Sequence, residues 1–78
     1  MPKLPRVTVA KMMRALKRAG FVIARQKGGH AFLVNPATGA RCVVPQHVGD
    51  LKVGITAGIL RQAGIPRHEF ARLLRGKR

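Results

Sequence analysis

The chain is 78 residues long and carries 16 Lys+Arg against 2 Asp+Glu, a formal charge of +14 with the histidines neutral. That length admits a single domain over residues 1–78 and excludes a second, while a hydrophobic content of 46% excludes a charge-dominated disordered tail. With two acidic residues in all, paired-carboxylate chemistry and oxygen-rich metal cages are nearly excluded, and most metal-dependent nucleases with them.

The first predicted element is a helix. Thr8 can cap it by accepting a hydrogen bond from a first-turn backbone N–H, Val9, Met12, Met13 and Leu16 follow at helical spacing, and Gly20 supplies a left-handed stop. Lys11, Arg14, Lys17 and Arg18 make its other faces cationic. Phe21 to Gln26 then reads as a strand, Lys27-Gly28-Gly29 as a hairpin turn and His30 to Val34 as the returning strand, because glycine adopts positive φ without steric cost. The segment Asn35-Pro36-Ala37-Thr38-Gly39 is dense in turn formers. Arg41 to Pro45 follows as a third strand, which Pro45 must end or hold at an edge because it has no N–H to donate.

Gln46 to Asp50 is expected to be a loop, with Asp50 acting as a turn or helix cap. A second helix begins between Asp50 and Thr56, sets Ile55, Ile59, Leu60 and Ala63 on its apolar side and stops at Gly64. Gly54 and Gly58 interrupt it, so one of them is expected before the helix start or at a close packing contact. A last short helix opens at Pro66, carries Glu69 near its positive end and turns Phe70, Leu73 and Leu74 inward. Arg72, Arg75, Lys77 and Arg78 form a basic tail.

These elements define an α+β fold of order α-β-β-β-α: a three-stranded antiparallel sheet with helices on one face and a short extra C-terminal helix. Double-stranded-RNA-binding domains, which recognise A-form RNA by shape and backbone contacts, share that order. Topology alone assigns no function. The charge calls for a polyanion, which leaves nucleic acid, an acidic protein and an anionic membrane. No run approaches the roughly 18 consecutive apolar residues of a spanning helix, and Met1 to Arg6 precede no secretory h-region. Cys42 is the sole cysteine, which rules out an intrachain disulfide, fits a reducing cytosol and reads as a small core hydrophobe. Met12 and Met13 read as core filler and His68 as a solvated side chain. The histidines form no metal motif, so neither a metal nor another cofactor is expected.

Proton transfer near neutral pH is then left to histidine. RNA can be cleaved without a metal if a base takes the ribose 2′-hydroxyl proton, an acid protonates the leaving 5′-oxygen and cations stabilise the phosphorane. In Arg25-Gln26-Lys27-Gly28-Gly29-His30 a basic strand end, a turn open to an approaching RNA backbone and an imidazole come together. His47 is a possible second catalytic or phosphate-binding group, and Arg25, Lys27, Arg41 and Lys52 are candidate RNA-binding cations. A lone histidine in a hairpin ordinarily has a surface or structural role, so these residues alone leave His30 a candidate. The absence of Tyr and Trp, with three Phe in total, argues against a stacking platform that reads bases.

The stretches RQKGGHAFLVNP, RCVVPQH and GDLKVGITAGILRQAGIPRHEF closely resemble the HicA family of toxins from prokaryotic toxin–antitoxin systems, over nearly the whole chain. The resemblance implies a cytoplasmic, ribosome-independent mRNA-cleaving enzyme with a double-stranded-RNA-binding-like fold. It also implies a HicB-like antitoxin as partner, the toxin being monomeric when free and hetero-oligomeric when neutralised. The family's catalytic histidine, which follows a Gly-Ser pair, matches His30, and His47 matches a frequent histidine after the Val-Pro step. Gly29 stands where serine is common and Ala31 where a second histidine is common. Loss of the serine hydroxyl is expected to weaken phosphate binding or the orientation of His30, whereas position 31 matters less if its side chain points into the sheet. The alternatives are a noncatalytic double-stranded-RNA-binding-like module and an inactive toxin that mainly binds an antitoxin.

Overall fold

The computed structural model describes residues 4–76, so Lys77 and Arg78 of the expected basic tail lie outside the described residues. Its elements are β1 (Val7–Thr8), α1 (Val9–Arg18), β2 (Val22–Lys27), β3 (His30–Val34), β4 (Arg41–Pro45), β5 (Asp50–Leu51), α2 (Val53–Ala63) and α3 (Arg67–Leu74). Thr8 caps α1 as its sequence position demands: its hydroxyl accepts from the Lys11 N–H at 3.2 Å. Helical spacing buries Met12, Ala15 and Leu16 on one side, and the chain leaves the helix through Gly20 at φ +103°.

Strands β2, β3 and β4 form the antiparallel meander, in that order. Gly28 takes φ +61° and Gly29 does not take positive φ, the pattern of a two-residue turn that needs glycine at its first central position. It pairs Lys27 with His30. Along β3 and β4 the side chains alternate: Ala31, Leu33, Cys42 and Val44 are buried, while His30, Phe32, Val34, Arg41, Val43 and Pro45 face the other way. The buried face joins Met12, Leu16, Leu51, Ile59, Leu60, Phe70 and Leu73 in one core. Helices thus cover a single face of the sheet, an α+β arrangement of order α-β-β-β-α with an added C-terminal helix, consistent with a double-stranded-RNA-binding-like fold. Pro45 ends an edge strand, where its missing N–H breaks no ladder bond.

Several local expectations change. Val7 and Thr8 pair with Leu51 and Asp50 in a second, two-stranded sheet. Asp50 is therefore a strand residue, the loop before it ends at Gly49, and the N-cap of α2 is Lys52. The physical reason is that Val7 and Leu51 are both buried, which ties this short ladder to the core. Gly54 and Gly58 both lie inside α2, and among the described residues a Cβ at either would meet no atom within 4 Å, so neither precedes the helix nor permits close packing there. Phe21 is a core residue just before β2, and Pro66 is the N-cap of α3.

Two polar groups fasten the layers. Asn35, 8% exposed, donates from Nδ2 to the Ala19 carbonyl at 3.2 Å and accepts from the Ala37 N–H at 3.0 Å, which ties the β3–β4 turn to the end of α1. Arg18 donates to the Leu73 carbonyl at 2.6 Å, so this part of the cationic helix face closes the last turn of α3. Among the described residues no helix is long and apolar enough to cross a membrane.

Candidate functional site

His30 opens β3, exposed on the helix-free face, with Lys27 beside it on β2 and Pro45 on β4. Being paired on both sides fixes its backbone, and the tight turn before it leaves the approach open. Ala31 points the opposite way and is fully buried, so the position where a second histidine is common belongs here to the core.

The segment after Pro45 folds back onto the turn. The Gln46 N–H donates to the Gly29 carbonyl at 2.6 Å, while the Gln46 amide donates to the Val44 carbonyl at 3.0 Å and reaches Met13 Sδ at 3.8 Å. This anchoring lays the His47 ring against Gly29: a Cβ at position 29 would come within 2.5 Å of His47 Cδ2. Gly29 thus has a steric reason, since a side chain there and His47 in this position exclude each other.

Gln26, Lys27, Gly28, His30, Gln46 and His47 line one shallow concavity of about 270 Å³. It holds two imidazoles, an ammonium and two amides, with no carboxylate among the described residues. Such a set can accept and donate protons and stabilise an anion. Among the described residues no three His, Cys, Asp or Glu side chains gather as a metal ligand set.

The other candidates separate in space. Arg25 and Arg41 line a larger groove of about 860 Å³ on the same open sheet face, and the Arg25 guanidinium lies 4.9 Å from the centre of the Phe32 ring. Lys52 is exposed at the start of α2 and lines neither concavity. His68 is exposed on α3. Cys42 is buried, and burial pushes its thiol up to about 11, which leaves a protonated, inert group.

Sequence reasoning passed over Gln26, Gln46, Phe32 and Gln62. Gln46 carried a readable signal, a polar residue directly after the proline that ends a strand and directly before His47. Phe32 carried one too, since strand alternation from His30 puts it on the same face. A family model described as "HicA toxin of bacterial toxin-antitoxin" matches residues 9–65, from the first residue of α1 to just past the end of α2. No curated protein matches the chain.

Proposed function

Because the chain belongs to the HicA toxin family of bacterial toxin–antitoxin systems, we propose that it is a cytoplasmic endoribonuclease that cleaves single-stranded mRNA independently of the ribosome and without a metal, using His30 and His47 for proton transfer. The observation that carries this reading is the shared concavity of His30, His47 and Lys27, with no carboxylate in it among the described residues.

One imidazole takes the proton of a ribose 2′-hydroxyl as its oxygen bonds to the adjacent phosphorus. The bond from phosphorus to the 5′-oxygen then breaks, and the other imidazole gives that oxygen its proton. The products are a 2′,3′-cyclic phosphate and a 5′-hydroxyl, so no water and no redox partner is consumed. Lys27 offsets the extra charge on the phosphorane. Gly28 and Gly29 keep the turn low enough for the phosphate to reach His30. Arg25, Arg41 and Lys52 hold the flanking strand electrostatically.

The partner that neutralises a toxin of this kind must cover a cationic surface. An acidic HicB-like antitoxin seated over His30 would exclude RNA and relieve the +14 self-repulsion in one step, with the free toxin a monomer. It would also stabilise the toxin by mass action.

The test is labelled single-stranded RNA incubated with the purified chain. His30→Ala should abolish fragments while leaving RNA binding largely unchanged, and EDTA should have no effect. Equal cleavage by His30→Ala, or loss of cleavage in EDTA, overturns the mechanism. Binding without any fragments from the unaltered chain identifies the noncatalytic module or inactive toxin instead.

A further inference from the structure

Composition counts three phenylalanines without saying where they lie. Phe21 and Phe70 are core residues, 2% and 1% exposed. Phe32 is half-buried on the open face of the sheet, two residues along β3 from His30. It is paired with Arg25 on one side and Val43 on the other. The planar Arg25 guanidinium lies over the ring, 4.9 Å from its centre, so the stack that begins at Phe32 ends outward in a flat cationic surface. Val34 and Val43 give the groove apolar walls, and Gln62 from α2 closes one side.

Gln62 accepts from the Val43 N–H through Oε1 at 3.3 Å, which orients the amide and leaves its Nε2 hydrogens without a protein acceptor among the described residues. Arg25 and Arg41, at the rim, have no ion pair among the described residues. An apolar floor, a half-buried aromatic ring beneath a guanidinium plane, a free amide donor and cations without an ion pair match a nucleobase joined to phosphates. They match a purely acidic peptide poorly, because it offers nothing to stack on the ring.

We propose that this groove is a nucleobase subsite, in which a base of single-stranded RNA stacks on the Phe32–Arg25 pair and meets the Gln62 amide with its edge while the neighbouring phosphate lies at His30. The subsite rests on the RNA-cleaving reading and adds to it what positions the cut. The spacing suits one nucleotide, since residues two apart on a strand lie about 6.8 Å apart, which separates the Phe32 row from the His30 row. Aromatic rings and guanidinium planes both stack unpaired bases.

The test uses the full chain and a 2′-O-methyl oligonucleotide, which cannot undergo 2′-hydroxyl attack, carrying one 2-aminopurine. The chain has no Trp or Tyr, so the probe's emission is read without interference. Binding should quench it. Phe32→Leu should remove the quenching and weaken binding about tenfold, within the range of base–aromatic stacking. Phe32→Tyr should restore both, which controls for folding. Replacing the probe nucleotide by an abasic one should weaken binding to the unaltered chain by a similar factor. Unchanged quenching in Phe32→Leu, or an abasic strand bound as tightly, overturns the proposal. So does a Phe32→Leu variant that keeps RNA affinity but loses affinity for an acidic protein partner, which would make this face a protein-docking surface. If His30→Ala still cleaves RNA while quenching depends on Phe32, the catalytic assignment fails and the base subsite stands.

Discussion

A side chain at position 29 would need the space that the His47 ring occupies, with 2.5 Å between a Cβ and His47 Cδ2. Gly29→Ser should therefore displace His47 even though it recreates the pattern common in the family. If His47 transfers a proton, single-turnover cleavage should fall toward the rate of His47→Ala, a loss of about 100-fold or more when a general acid or base is removed. The double variant should be no slower than His47→Ala alone, because both changes remove the same group. Independent losses that multiply would show that Gly29 acts by another route. Cys42 offers a second check on atomic detail. Its thiol ionises near 9.0 when solvated and near 11 in the folded chain, because burial desolvates the thiolate. The stability this group contributes is intact below pH 9.0 and is lost as pH rises through 11, since the unfolded chain sheds the proton first. Iodoacetamide should accordingly alkylate Cys42 far more slowly in the native protein than in urea at a pH just below 9.0, and equal rates would contradict the burial. His30 and Lys27 were legible in the sequence because they lie within one six-residue stretch. The contact of His47 with Gly29 was not, because it is made through space by a loop that Gln46 folds back.

At the scale of elements, turn chemistry was the most readable feature. The glycine pair located the β2–β3 turn, Asn35 to Gly39 located the next, and Pro45 marked the end of an edge strand. The β1–β5 ladder left no such trace, because strands of two residues are too short to show an alternation. Asn35 was legible as a turn former but not as the buried donor to the end of α1. Helix α2 departs from local preference most clearly. Gly58 lies in its interior without positive φ, and nothing among the described residues requires the missing side chain there. Gly58→Ala should then stabilise the fold by about 0.5–1 kcal/mol, the usual helix-interior difference between the two residues. Urea unfolding would register this as a higher midpoint at unchanged slope. A lower midpoint would mean that the added methyl group meets a neighbour after all.

For the whole molecule the decisive quantity is the imbalance of charge. Asp50 lies in β5 and Glu69 in the first turn of α3, so the acids sit at two separate points against 16 basic residues. A folded chain holds those cations closer together than an unfolded one, and their mutual repulsion opposes folding. Salt screens that repulsion, with a Debye length that shrinks from about 10 Å at 0.1 M to about 3 Å at 1 M. The thermal midpoint of the free protein should therefore rise with sodium chloride. RNA binding should respond in the opposite direction, its log affinity falling by roughly 0.7 per decade of salt for each single-strand phosphate neutralised. The two trends share one cause but have opposite signs, so measuring both on one preparation separates screening from a general salt effect. At low salt an RNA oligonucleotide should raise the midpoint, and that increment should vanish as salt displaces the strand. A midpoint that falls with salt would mean that the folded charges attract more than they repel, and the argument from +14 to a polyanion would lose its thermodynamic half.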